Sequence, residues 1–209
     1  MNKNLTKVIF CIVSGALLIS SAEPLNIPWL CFIAYVPFFF VMETEKSFWR
    51  LLMYSWLCMF VQIIIGFQWI HYVATEFGLL SWWPSFFILI VFSLFTNLSL
   101  QIFAVLYWFS SRYIRNKTGL VFYLLIIPGL FVISEILDPK IFNWYAGNLI
   151  ADYKYMFQFA SVFGVSGLSF IIVLINVLFY LLTKTFINSS GAWVKSGNNR
   201  FSVDTLRGY

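Results

Sequence analysis

The sequence predicts an all-α fold, a polytopic transmembrane bundle of about six helices with both termini cytoplasmic. Three observations carry that reading. The 209 residues are 61% hydrophobic and 22% aromatic, with a mean hydropathy of +0.87. Only 10% are charged, against about 25% in soluble domains. Long unbroken apolar runs recur along the chain, and basic residues concentrate in alternate segments between them. Backbone groups in hydrocarbon must be satisfied internally, which leaves helices or a closed barrel. Continuous runs exclude the barrel, whose strands alternate apolar and polar residues.

Six segments are expected, at about 8–22, 27–42, 50–72, 85–109, 120–137 and 163–183. The first two are short and separated by Glu23, Pro24 and Pro28, so they read as a tight hairpin, with Pro37 kinking the second. The fifth stops at Asp138-Pro139. Residues 1–183 form the transmembrane domain, and 184–209 are expected to be a disordered polar tail on the cytoplasmic side. A cleavable signal over residues 1–22 is the rival reading of the N-terminus, suggested by Lys3, Lys7 and Ser20-Ser21-Ala22. The adjacent second apolar segment favours a retained helix.

Lys3, Lys7, Lys46, Arg50, Arg112, Arg115, Lys117, Lys184, Lys195, Arg200 and Arg207 fall on one side of this arrangement, and only Lys140 and Lys154 on the other. The eleven-to-two split makes the first side cytoplasmic. It puts Glu23, Glu76, Glu135, Asp138 and Asp152 at or near the outer face. Seven tryptophans, from Trp29 to Trp144, mark segment ends, with Trp56 the mid-span exception. The net charge of +5 does not indicate nucleic acid, because its basic residues are dispersed over loops at one face.

Few groups here carry chemistry. Cys11, Cys31 and Cys58 lie in apolar runs without metal-ligand spacing and read as packing residues. No metal site and no cofactor is expected. His71, the single histidine, follows Trp69 at the outer end of the third segment, with Glu76 in the loop beyond. Such a pair suits acid–base work, though an interfacial histidine is the commoner case. Glu135 is costly in an apolar helix unless it faces a cavity or pairs with Lys140 or Lys154. Gln62, Gln68, Asn97 and Gln101 are expected to hydrogen-bond between helices, with Asn97 and Gln101 on one helix face. The aromatic stretch 141–148, including Trp144 and Tyr145, suits a membrane-surface or re-entrant segment. Gly164 and Gly167, with Ser166 and Ser169, suit close helix approach at the start of the sixth segment.

Four stretches resemble a known family. Pro24-Leu25-Asn26-Ile27-Pro28-Trp29 with Phe32-Ile33-Ala34-Tyr35-Val36-Pro37 is similar to an opening hairpin. Gly66-Phe67-Gln68-Trp69-Ile70, with Phe77-Gly78, is similar to a third-helix end. Phe131 and Glu135 have the spacing of a Trp-x-x-x-Glu element. Phe142 to Asn148, then Gln158-Phe159-Ala160, Gly164 to Phe170 and Asn176, follow in order. Together they resemble the N-terminal membrane domain of bacterial apolipoprotein N-acyltransferases. Phe131 replaces a usual Trp, Asn143 a usual Pro, and Asp138 stands where Arg is common.

The resemblance implies a bacterial inner-membrane protein of lipoprotein maturation, with membrane phospholipid and diacylated lipoprotein as partners. Family members continue into a periplasmic nitrilase-like domain holding a Glu-Lys-Cys triad. Its Cys takes an acyl group from phospholipid and passes it to the lipoprotein's amino-terminal Cys. No residue here matches the triad. The expectation is therefore a truncated or split enzyme, inactive alone, that needs a separate nitrilase-like chain. Lipid-cavity candidates are Trp69, His71, Glu76, Glu135, Trp144 and Tyr145. The alternatives are a non-catalytic lipid-binding scaffold, a gene remnant or, less well supported, a small transporter.

Overall fold

A computed structural model describes residues 3–22, 25–151 and 153–190, with backbone only at 151, 157 and 188–190. Glu23, Pro24, Asp152 and the tail from residue 191 lie outside the described residues. The described residues are helical and contain no strand, forming a helical membrane bundle. Helix α1 spans Lys3–Ser20, α2 Val36–Thr44 and α3 Phe48–Gly66. Helices α4, Gln68–Glu76, and α5, Trp82–Phe95, form a hairpin. Then come α6, Ser99–Tyr113, the single turn α7, Arg115–Thr118, and α8, Ile127–Leu137. The turn α9, Asn148–Ala151, precedes α10, Lys154–Ser190.

Four stretches are long and apolar enough to cross a bilayer: Lys3–Ser20, Phe48–Gly66, Trp82–Tyr113 and Gln158–Ile187. Pro28–Thr44 and Phe122–Leu137 are shorter apolar stretches. The outer surface confirms the setting. Trp49, Met53, Phe77, Leu79, Trp83 and Phe95 are each more than two-thirds exposed. A soluble monomer does not display apolar surface on that scale. Inside, Phe131 sits at the centre, with its ring 5.1 Å from Tyr35 and 5.3 Å from Phe103, both edge-on. Lipid supplies no hydrophobic drive between helices, so this interlocking of rings is the packing term that holds them.

Backbone breaks correct the sequence reading at most segments. The second is not one kinked helix. A tight 3-10 turn at Pro28–Phe32 and a further turn precede α2, and Pro37 occupies its first turn, where the missing N–H costs nothing. The third breaks at Phe67, and Glu76 is the last residue of α4 instead of a loop residue. The fourth breaks at 96–98, where Asn97 takes φ +58°. The fifth begins as a π turn, Phe122–Ile126, whose wider loop absorbs the donor lost at Pro128. The sixth begins after non-helical backbone at Gly164 (φ +70°, ψ 176°), which separates it from a helical stretch that starts at Lys154, and its helix continues to Ser190.

Side chains from other helices satisfy the broken backbone at 33–36. Asn176, fully buried on α10, accepts from Tyr35 N at 2.8 Å and donates to Cys31 O at 2.7 Å and Ile172 O at 2.9 Å. Ser14 on α1 donates to Ala34 O and accepts from Phe38 N. Non-helical backbone at membrane depth survives only with such partners.

Close approach is found at some of the expected glycines and not at others. A Cβ on Gly164 would meet nothing, whereas one on Gly167 would meet Phe163 and Phe159 of the stretch before the Gly164 break. Close contacts also occur at Gly15, against Cys58 O and Val61 on α3, and at Gly147, against Val165 and Leu168 on α10.

The basic residues meet at one end. Glu43 accepts from Arg115 Nη2 at 2.7 Å, Lys184 Nζ at 2.6 Å and Tyr123 Oη at 3.4 Å. Glu45 accepts from Lys7 Nζ at 2.8 Å and pairs with Arg50 Nε at 3.4 Å. Two carboxylates at the end of α2 thus tie together the ends of α1, α3, α7 and α10.

Candidate functional site

The α4–α5 hairpin grows out of the end of the bundle opposite those basic residues. Phe67, at the α3–α4 break, packs 5.6 Å from Phe92 and 6.3 Å from Phe142 of the connection before α9. Beyond this aromatic layer, α4 and α5 diverge around a cleft of about 640 Å³. Ile64, Ile65, Gln68, Trp69, His71 and Tyr72 form one wall, and Trp82, Phe86 and Leu89 the other. Trp82 stacks on Phe86 at 5.2 Å, giving that wall a flat aromatic surface. His71 meets Trp82 and Phe86 edge-on at 5.6 and 6.3 Å, and its Nε2 is buried without a hydrogen-bond partner. An open, largely apolar cleft with one unmatched imidazole nitrogen suits an amphiphile with a long apolar body.

The second group of sequence candidates lies across the aromatic layer. Glu135 is 3% exposed and accepts from Ala146 N at 2.7 Å. Gly147 N donates to the buried Ser169 Oγ at 2.9 Å. These two bonds fold the 141–148 connection back over α8 and α10, which is why Gly147 must come so close to α10. Asp138 Oδ1 accepts from Leu98 N at 2.9 Å and so caps α6 at the break. Lys140 Nζ sits 3.2 Å from the centroid of the Tyr145 ring. Burial raises the Asp138 pKa above the ordinary value, against the Leu98 hydrogen bond and the Lys140 charge, and lowers that of Lys140, against the Glu135 and Asp138 charges.

The candidates thus separate into two sets. Trp69 and His71 line the cleft, with Trp69 edge-on to Phe142 at 5.6 Å. Glu135 of α8 holds the folded-back connection that carries Tyr145 and the half-buried Trp144. Glu76 joins neither: it is exposed, and among the described residues no hydrogen bond or ion pair links it to His71. The His–Glu pair therefore does not form. Glu135 makes no ion pair with Lys140 or with the exposed Lys154.

The spanning amides also depart from expectation. Oε1 of Gln62 and of Gln101 lacks a partner, and Asn97 lies in the break, accepting from Ser99 Oγ, not on a helix face with Gln101. Sequence reading missed Phe86, which looks like any other apolar-run residue, and singled out Phe142 within the 141–148 stretch but not its packing on Phe67 and Trp69. It also missed Asp138 as a cap, because its partner Leu98 lies forty residues away in sequence. All three cysteines are free and fully buried, and among the described residues no group of His, Cys, Asp or Glu could hold a metal ion.

Comparison with known proteins fits this framework. The family described as the apolipoprotein N-acyltransferase N-terminal domain matches residues 14–178. This chain belongs to that family. Apolipoprotein N-acyltransferase of Bdellovibrio bacteriovorus is 32% identical over 174 residues, covering 80% of this chain and 30% of the relative. Apolipoprotein N-acyltransferase 1 of Leptospira interrogans is 31% identical over 149 residues, 70% of this chain and 25% of the relative. The Chlorobaculum tepidum apolipoprotein N-acyltransferase is 28% identical over 205 residues, 94% and 35% respectively. The chain thus spans about a quarter to a third of these relatives. Family membership and the apolar helices together make it a membrane protein.

Proposed function

We propose that this chain is the lipid-handling membrane domain of an apolipoprotein N-acyltransferase system. It crosses a bacterial inner membrane several times, with the Glu43 and Glu45 clusters on the cytoplasmic side. The α4–α5 cleft, on the outer side, receives an acyl chain of a membrane phospholipid. Its acyl group goes to the amino terminus of a diacylated lipoprotein through a nitrilase-like catalytic unit outside these 209 residues. The buried thiols of Cys11, Cys31 and Cys58 do not serve as nucleophile, because a thiolate is disfavoured in such surroundings.

The observation that carries this reading is the cleft itself: about 640 Å³ of aromatic and aliphatic wall, partly exposed at Ile65, Trp69, Tyr72 and Trp82. The test is labelling in nanodiscs by a phospholipid with a photoactivatable acyl chain. Labelling is expected to concentrate on Trp69, Tyr72 and Phe86, and to fall there, but not at the exposed Met53 of α3, when Leu89→Trp fills the cleft. Uniform labelling around the bundle, unchanged by Leu89→Trp, would contradict the assignment.

A further inference from the structure

The charged rim at the end of α2 holds more cation than its carboxylates match. The Glu43 side chain is 8% exposed, and its Oε1 accepts from Arg115 Nη2 at 2.7 Å, Lys184 Nζ at 2.6 Å and Tyr123 Oη at 3.4 Å. Its Oε2 is buried without a partner. The Arg115 and Lys184 side chains are 32% and 28% exposed. The carboxylate is therefore sunk beneath two cations that stay partly exposed, and one negative charge is set against two positive. A guanidinium carries five N–H donors and an ammonium three, and Glu43 receives one from each. Because both bond the same oxygen, their nitrogens lie close enough together for a single phosphate to bridge.

The neighbouring segment adds to the excess. Arg112, whose guanidinium is 3.3 Å from the centroid of the Trp108 ring, and Lys117 of the turn α7 are exposed, and among the described residues neither has an ion pair. Arg112, Arg115, Lys117 and Lys184 thus face the single opposing charge of Glu43. The Tyr123 ring lies 5.6 Å from Arg115 and 5.9 Å from Lys184, which joins the π turn and the end of α10 into one surface. Towards the middle of the bundle those two elements turn apolar: Leu125, Leu178 and Leu182 are 43–66% exposed. Cations at the rim of exposed apolar helix faces match the two ends of a phospholipid. A zwitterionic head group would bring an ammonium to a site that already carries net positive charge, whereas an anionic one brings none.

We propose that Arg115 and Lys184, with Lys117 beside them, bind the phosphate of an anionic membrane phospholipid, whose chains lie over Leu125, Leu178 and Leu182. Basic pockets between spanning helices hold anionic head groups in this way. The arginine adds paired N–H donors suited to phosphate oxygens. The site lies at the end of the bundle opposite the α4–α5 cleft, so it is separate from the acyl-chain site and the assignment stands without that reading.

Lipid retention by the purified full chain, read by native mass spectrometry, tests it. Phosphatidylglycerol and phosphatidylcholine with identical chains are offered in non-ionic detergent, with inorganic phosphate as a competitor. Wild type is expected to prefer phosphatidylglycerol. Lys184→Gln and the exposed Lys117→Gln should each weaken its binding about fivefold, the share of one basic residue at a membrane surface. Glu43→Gln keeps an acceptor for both cations and removes the opposing charge, so it should tighten binding. A carboxylate that only braced the helices would give no such gain. Lys46→Gln removes an exposed cation elsewhere at the same end and should change nothing. Equal retention of the two lipids, a loss from Lys46→Gln equal to that from Lys117→Gln, or no gain from Glu43→Gln would overturn the site. Full displacement of the lipid by inorganic phosphate would also overturn it, by assigning the cations to a soluble anion.

Discussion

Asn176 shows how one residue can hold a membrane fold at a break. Its amide engages Tyr35 N, Cys31 O and Ile172 O, two of them on a stretch where no helix supplies partners. Replacing it with Leu keeps the bulk and orphans a buried N–H and C=O, each costing about 1–3 kcal/mol. Asn176→Leu is expected to lower the midpoint of thermal unfolding in detergent markedly, and Asn176→Asp less, because it keeps the acceptor for Tyr35 N. Glu45 makes a pH prediction. Burial opposes its charge, but the Lys7 hydrogen bond, the Ser47 N–H and the nearby Lys7 and Arg50 charges outweigh that and hold its pKa below the ordinary carboxylate value. A carboxyl lowered by folding adds stability that is complete above its unfolded pKa, about 4.3, and vanishes as pH falls through the folded value. Wild-type unfolding temperature should therefore drop more steeply than that of Glu45→Gln as pH falls from 5 towards 3.

At the scale of elements, the informative features are the breaks. The apolar runs were legible because hydrophobicity is summed locally over many residues. The breaks at Phe67 and at 96–98 were not, because an Asn or Phe inside such a run changes the sum little. Only the partner explains them: Asp138, forty residues from Leu98 in sequence, caps α6. The same limit hid the Glu43 cluster, whose donors lie 72, 80 and 141 residues away. The sequence did bring Trp69 and His71 into view as neighbours on α4. It could not show that Phe86 and Leu89 face them across a cleft, since that depends on how the hairpin packs. Asn97 tests the break directly. Its φ of +58° is one that Asn and Gly adopt readily and β-branched residues do not. Asn97→Gly should leave unfolding temperature nearly unchanged, whereas Asn97→Val should cost about 1–2 kcal/mol.

Over the whole molecule, charge, breaks and cavities are arranged along one axis. The basic end is clasped by Glu43 and Glu45, the middle is a layer of interlocked rings around Phe131, and the far end opens into the aromatic cleft. In this account the polypeptide provides lipid access while the reacting thiol comes from elsewhere. Acyl transfer through a thioester needs an accessible thiolate, a base within hydrogen-bond reach and donors for the oxyanion. Cys11, Cys31 and Cys58 are all 0% exposed and cannot meet the first condition. The most direct measurement supplies the purified 209-residue chain with phospholipid and a diacylated lipopeptide and follows N-acylated product by mass spectrometry. No product is expected from this chain alone, whereas turnover abolished by Cys11→Ser, Cys31→Ser or Cys58→Ser would contradict the account.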